Sequence, residues 1–333
     1  MSPLPTSVVA IGESLIDVVL RPGTRPVEHP GGSPMNIALG LGRLGRRVTL
    51  ITRIGQDARG ESIATHLRSA GVELAPGSTR PEATSTATAR LAPDGSAGYS
   101  FDLRWSLPAG LSAAHPVLAS AGIVHAGSIG AFLEPGATAV CRLLRELAGT
   151  GTRTGTGASG RAPLITLDPN IRPSIVPDRA AVLERFGELA GSAAVVKLSD
   201  EDADWLYPGA DPDEAADRIL RLGPGLVAVT RGGEGALLAT GTARHSVPGI
   251  AVTVADTIGA GDSFMSALID RLAALLDEGV PVGALRDGSA LDPAVLAEIG
   301  DFAVRAAAIT VSRPGADPPT FAELTRRRAT AAR

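Results

Sequence analysis

The chain has 333 residues, 44% of them hydrophobic, and a formal net charge of −4, which leaves ample length for a large core and argues against disorder or a polyanion-binding surface. One cysteine, Cys141, excludes an internal disulfide, and five scattered histidines, at 29, 66, 115, 125 and 245, lack the spacing of a zinc site. With no apolar run as long as a membrane span and no basic segment leading into a long apolar one at the start, the expectation is a cytoplasmic enzyme that engages neither nucleic acid nor membrane.

Val8 to Ile11 is an apolar run closed by Gly12 and predicts the central strand of a parallel sheet. Glu13, Ser14 and Asp17 fall just past its carboxyl end, where open α/β sheets bind ligands. An ionised Asp17 there can accept hydrogen bonds from substrate hydroxyls, the alternative being a solvated turn residue. Leu15 to Leu20 is expected to leave the main sheet as a short strand, and Arg21 to Pro30, with three prolines, to be a turn-rich connection. In Gly31-Gly32-Ser33-Pro34-Met35-Asn36, Pro34 suits the first turn of a helix, Ser33 its cap, and Ile37, Leu41 and Leu44 its buried face up to Gly45. The glycine pair predicts a hinge and a close approach of backbone to ligand, with the Asn36 amide turned toward that ligand. Residues 40–45 match GxGxxG but end a helix instead of opening one after a strand, which rejects a dinucleotide site.

Val48 to Ile54 predicts a strand, and Asp57 to Ala70 an amphipathic helix stopped by Gly71. From Thr79 to Trp105 the rhythm breaks, with Ser85 to Arg90 and Tyr99 to Phe101 suiting short strands around the turn Pro93-Asp94-Gly95. Residues 14–31 and 79–106 are expected to form a small β-sheet lid that excludes water from the site, with Arg104 or Trp105 reaching toward substrate. The α/β body then comprises residues 1–13, 32–78 and 107–333, and the lid is the expected surface of a homodimer.

Ile123 to His125 predicts a strand ending at Ala126-Gly127-Ser128, and Pro135 to Ala148 a helix. Residues 149–161 read as a loop holding a second misplaced GxGxxG, Gly155 to Gly160. The strand Leu164 to Leu167 leads into Asp168-Pro169-Asn170-Ile171-Arg172, whose Asp, Asn and Arg suit a magnesium-bound water, a hydroxyl and a phosphate. The strand Ala194 to Leu198 leads into Ser199-Asp200-Glu201-Asp202, where a carboxylate either organises hydrated Mg²⁺ near a triphosphate or caps the next helix. Leu226 to Val229 precedes the glycine turn Thr230 to Gly235, followed by a strand at Ala236 to Ala239. This alternation predicts an α/β fold with a doubly wound parallel sheet and glycine turns gathered on one edge.

The segment Asp256-Thr257-Ile258-Gly259-Ala260-Gly261-Asp262 states a function most directly. It follows a β-branched run, Val252 to Val254, read as a strand, and precedes Phe264, Leu268, Leu272 and Leu275, the buried face of a helix. Gly259 and Gly261 let the amides of residues 259–262 converge at the positive end of that helix, which would hold an anion. Asp262 at its rim suits a base for a nucleophile attacking that anion, a helix cap being the plainer reading.

Both segments together resemble the signatures of the ribokinase/PfkB family of carbohydrate kinases. The first runs from Gly31-Gly32 through Asn36 and Ala38 to Gly45 and Gly55, and the second from Asp256 to Asp262 with Ser266-Ala267 after it. The absence of a G-x-x-x-x-G-K-[ST] segment agrees. The resemblance implies a ribokinase-like fold and transfer of the ATP γ-phosphoryl group to a sugar hydroxyl, with Asp262 as base and the Gly259, Ala260, Gly261 and Asp262 amides as anion hole. It implies Asp17, Gly32 and Asn36, with Gly31 beside them, as sugar contacts, and for an acid substrate Arg104 and Arg172 would form the arginine clamp. Thr230, Gly232 and Gly235, with Ser199, match nucleotide-binding positions. Ser199 and Asp202 stand where many members have Asn-x-x-Glu, so that Asp202 would meet Mg²⁺ through water. Asp256 and Thr257, with carbonyls of the Ser312 to Ala316 loop, resemble a monovalent-cation site, which implies K⁺ beside ATP and Mg²⁺. Asp168 to Pro173 and Ser312 to Ala316 look most like bacterial fructokinases. The related alternatives are a 2-keto-3-deoxygluconate kinase or another sugar or nucleoside kinase. From other classes come a non-catalytic sugar-binding regulator, which an intact Asp262 argues against, and a dehydrogenase, which the misplaced glycine motifs argue against.

Overall fold

The computed structural model describes residues 5–91, 97–149 and 162–326. In chain order the strands and helices are β1 (Val8–Ile11), β2 (Leu15–Leu20), β3 (Val27–Gly31), α1 (Ser33–Arg43), β4 (Val48–Ile51), β5 (Ile54–Gly55), α2 (Ala58–Arg68), β6 (Glu73–Leu74), β7 (Thr79–Arg80), β8 (Thr86–Leu91) and β9 (Ala97–Asp102). They continue with α3 (Pro116–Ala119), β10 (Ile123–Gly127), α4 (Ile129–Phe132), α5 (Gly136–Gly149), β11 (Leu164–Asp168), α6 (Arg179–Ala190), β12 (Val195–Ser199), α7 (Asp200–Leu206), α8 (Pro212–Leu220) and β13 (Leu226–Thr230). Last come β14 (Gly235–Ala239), β15 (Arg244–Pro248), α9 (Ala260–Asp277), α10 (Val282–Arg286), α11 (Pro293–Val311) and α12 (Phe321–Thr325).

One nine-stranded sheet has the order β15-β14-β13-β12-β11-β10-β1-β4-β6. It is parallel from β6 to β13 and turns antiparallel at β14 and β15. Its middle strands are apolar on both sides because each face is covered by helices, as a doubly wound sheet requires. On one face, Met35, Ile37 and Leu41 of α1 pack with Phe264, Leu268 and Leu272 of α9 and Leu296 of α11. On the other, Leu144 of α5, Phe186 of α6 and Ile219 of α8 form a second core. A buried side chain of this size contributes roughly 1.5–3 kcal/mol relative to exposure, so the two layers hold the carboxyl edge of the sheet rigidly.

A separate four-stranded sheet, β3-β2-β8-β9, stands over that edge. The Arg21 to Pro30 connection therefore ends in a strand, because Val27 to Gly31 finds an antiparallel partner in β2. The run expected as one strand from Val48 to Ile54 is split, since β5 pairs instead with β7. The hairpin of β8 and β9 is formed in register, Ala87 opposite Phe101 and Ala89 opposite Tyr99, while the turn Pro93-Asp94-Gly95 and the Gly155 to Gly160 segment lie outside the described residues. Val252 to Val254 forms no strand. Val254 is exposed, and the backbone that follows binds the end of α11 through Ala255 N–H to Val311 O (2.8 Å), leaving β-branched residues without a ladder to join.

Candidate active site

The lid and the sheet edge enclose a cavity of about 740 Å³, a size that suits a small-molecule site. Strand alternation puts Asp17 and Val19, Ala87 and Ala89, and Tyr99 and Phe101 on its wall. Asp17 is thus the one charged side chain among these six. Tyr99 and Phe101 stack with centroids 6.5 Å apart, and Tyr99 is 67% exposed. Asp17 sits opposite His29 in the β2–β3 pair. Burial raises its pKa from 3.8 to about 6, with a partial offset from His29. A Cβ on Gly31 would lie 2.1 Å from Asp17 Oδ2, so a side chain there would displace the carboxylate.

The opposite wall is the start of α9. Gly259 caps the helix with φ of +77°, and a Cβ there would lie 2.7 Å from that of Ala316, so a side chain would be both strained and crowded. The Ala260 N–H turns back to Thr257 O (3.3 Å). Those of Gly261 and Asp262, in the first turn, have no intrahelical acceptor and carry the positive end of the helix dipole. Asp262 does not cap α9. Its carboxylate reaches across to α1, accepting from Ser33 Oγ (2.6 Å) and Asn36 Nδ2 (2.8 Å). Ser33 is therefore a partner of the acid and not the helix cap, a position Gly32 occupies without a side-chain bond. Asn36 Oδ1 is buried without a partner.

Between these walls lie residues from just past β1, β10 and β11 and from within β12. Glu13 accepts from Gly130 N–H (2.7 Å), and burial lifts its pKa to about 7. Ser128 (φ +55°) and Asn170 (φ +38°) take left-handed conformations that favour glycine, and Asn170 Nδ2 donates to Ser128 Oγ (3.0 Å). Lys197, on β12, lines the cavity while only 4% exposed and donates to Asp168 Oδ2 at 2.9 Å. Burial works against its charge, but Asp168, then Asp202 and Asp262, outweigh it and hold its pKa above the ordinary lysine value.

Several of the expected residues meet at this cavity and others lie outside it. Gly32, Asn36, Arg172, Thr257, Gly259, Gly261 and Asp262 all line the cavity. Ser199 and Thr230 are paired neighbours at the ends of β12 and β13. Gly232 and Gly235 continue that edge, outside the lining of this cavity. Arg104 is a correction: it is absent from the lining and pairs with Asp102 at 3.2 Å on the exposed side of β9. The adjoining Trp105 is buried, its Nε1–H donating to Gly130 O (2.7 Å). Asp202 forms a capping box with Ser199, its Oδ1 accepting from Ile171 N–H (2.8 Å) and its Oδ2 from Ser199 N–H (3.2 Å), the helix cap that the sequence offered beside the Mg²⁺ role. Glu201, one residue earlier, lines the cavity instead. Asp256 accepts from Ile258 and Gly315 N–H (3.0 and 2.9 Å), tying the approach to α9 to the Ser312 to Ala316 loop. No cluster of three or more His, Cys, Asp or Glu side chains suited to a metal occurs among the described residues.

Sequence reasoning missed Lys197 and the Ser33 contact, and set Glu13 at the ligand-facing edge without giving it a role. The available signal for Lys197 was a cation set inside the apolar run Val195, Val196 and Leu198.

The profile of the pfkB family carbohydrate kinases matches residues 5–322. A fructokinase of Rhizobium leguminosarum bv. trifolii is 33% identical over 272 residues, covering 80% of this chain and 79% of its own length. Fructokinase-1 of Zea mays is 30% identical, covering 95% of this chain and 96% of its own. Among solved structures, a fructokinase with bound ATP from Xylella fastidiosa superposes with a TM-score of 0.79 at 25% identity, over 96% of this chain and 97% of its own.

Proposed function

Because the chain belongs to the pfkB family of carbohydrate kinases, and so transfers a phosphoryl group to a hydroxyl acceptor, we propose that its substrate is a neutral ketose, fructose, phosphorylated from ATP. The observation that carries this is the charge on the lid wall. Asp17 is the charged group there, and Arg104, the cation that would clamp a keto-acid carboxylate from the lid, faces away. A carboxylate near Asp17 would be repelled, whereas sugar hydroxyls would be bound. The fructokinase relatives support the same choice.

In this reading Asp262 takes the proton of the attacking hydroxyl, oriented by Ser33 and Asn36. The hydroxyl oxygen bonds to the γ-phosphorus as the bond to ADP breaks, and the first-turn N–H groups of α9 offset the charge on the phosphoryl oxygens. Arg172 serves the nucleotide phosphates, and Ser199, Thr230, Gly232 and Gly235 line the nucleotide's path. Mg²⁺, entering with the triphosphate and neutralising its charge, suits Glu201 and Asp168, whose buried Oδ1 has no hydrogen-bond partner. K⁺ is proposed at Asp256, Thr257 and the 312–316 loop. A homodimer through the lid is part of this reading. A cytoplasmic location belongs to the same proposal. The deciding experiment measures ADP release with fructose, ribose, 2-keto-3-deoxygluconate, adenosine and fructose 1-phosphate. Preference for the keto acid, lost in Arg172→Ala, would transfer the assignment to the keto-acid kinase.

A further inference from the structure

Lys197 is the chain's only lysine: of 31 Lys and Arg residues, every other one is arginine. A composition that supplies its basic side chains as arginine nevertheless places an ammonium at this one point. That point is the middle of β12, buried and lining the cavity. A Cβ built on Gly261 would lie 2.9 Å from Lys197 Nζ, so the ammonium adjoins the glycine whose N–H forms the anion hole. Of its three N–H donors, one has a protein partner, Asp168 at 2.9 Å. Burying an ion pair is costly, and apolar residues of similar volume would usually hold the sheet as well. An ammonium is also a compact point charge, unlike the planar guanidinium fork.

We propose that Lys197 is a catalytic residue that donates a hydrogen bond to an oxygen of the phosphoryl group during transfer, opposite the N–H groups of Gly261 and Asp262. This rests on the kinase reading and adds to it the cation that meets the moving group. The ammonium stays protonated throughout: the acceptor proton goes to Asp262, the new bond forms between the acceptor oxygen and phosphorus, and ADP leaves with the electron pair of the broken bond. Asp168 keeps Lys197 charged and aimed.

Being the only lysine, Lys197 gives a single side-chain ammonium signal in protein labelled with ¹⁵N-lysine. That signal is expected to shift when β,γ-imido-ATP is added with sugar and to stay near its free position when ADP is added with sugar. Lys197→Met should lower kcat ~10²- to 10³-fold, as removal of one anion-hole donor does, with the Kd for ADP unchanged. A Lys197→Met protein whose kcat stays within about threefold of the parent would overturn the proposal, as would a signal that responds alike to ADP and to the imido analogue. If Lys197→Met does not fold, the labelled parent decides. A parent that releases no ADP with any sugar would instead count against the kinase reading, while the ammonium signal would still report whether Lys197 meets the terminal phosphate.

Discussion

Replacing Asp17 by asparagine should make the protein more stable and a worse enzyme, and the pH at which the two forms converge is set by burial. The carboxyl group has a pKa of about 6 in the fold against 3.8 ordinarily. At ~1.4 kcal/mol for each tenfold change in proton affinity, ionising it in place costs about 3 kcal/mol. Because the folded value is the higher one, this penalty is absent below about pH 3.8, grows between there and about pH 6, and is complete above. The Asp17→Asn variant keeps the side-chain shape without the charge, so urea denaturation at about pH 7.5 should show a gain of ~1–3 kcal/mol over the parent, fading to nothing near pH 4. In the ADP-release assay the same variant should lose ~10- to 100-fold in kcat/KM for sugar, the range of a lost charged hydrogen bond. Parent activity should fall as pH drops through about 6, through a rise in sugar KM. A variant no more stable than the parent at pH 7.5, or one whose advantage persists undiminished at pH 4, would refute the argument that burial of this charge is held in reserve for substrate.

Asp262→Asn should lower kcat by at least ~10²-fold with nucleotide binding nearly intact, as measured by turnover and calorimetry. Near-normal turnover would remove Asp262 as the base. Arg172→Ala should raise the KM for ATP on the order of 5- to 10-fold while moving the KM for fructose less, since a charged hydrogen bond to phosphate is lost. A larger change for fructose would reassign Arg172 to the sugar. Hydrogen exchange in β2, β3, β8 and β9 should slow when sugar is added, if the lid sheet closes on its ligand. Exchange that sugar leaves unchanged there would mean the sheet is already fixed.

What is legible in the sequence is what is local. Gly31, Gly32 and Gly259 mark places where a Cβ cannot fit or φ is positive, and those constraints are met within a few residues of chain or at a single close contact. The helix after Gly259 announces itself by period, and the anion-binding start follows from backbone geometry alone. Residues whose role depends on partners distant in sequence are harder to read. Val252 to Val254 has strand propensity, but propensity supplies no neighbouring edge, and the backbone beyond it binds Val311 instead. The position of Arg104 after a strand suggests a substrate contact, whereas its side chain turns to Asp102. Lys197 hides inside an apolar run because its charge makes sense only beside Asp168, on the adjacent strand. Asp202 and Ser199 satisfy each other across a single helical turn, the cap that their spacing allows.

The position of β1 at the centre of the main sheet sets a timetable for the nascent chain. Its four residues are buried, and they pair with β4 on one side and β10 on the other. On a ribosome the first pairing is available once Ile51 has emerged, but the second strand is complete only with Gly127. At ~5–20 residues per second, the intervening stretch takes roughly 4–15 s, during which an apolar strand presents an open edge. The lid sheet waits less, because its last strand, β9, ends at Asp102. The roof over the site is therefore synthesised before the floor it covers can close. An exposed central edge is where a folding helper would have to act on this protein, and where a slowed ribosome would lengthen the risk of aggregation.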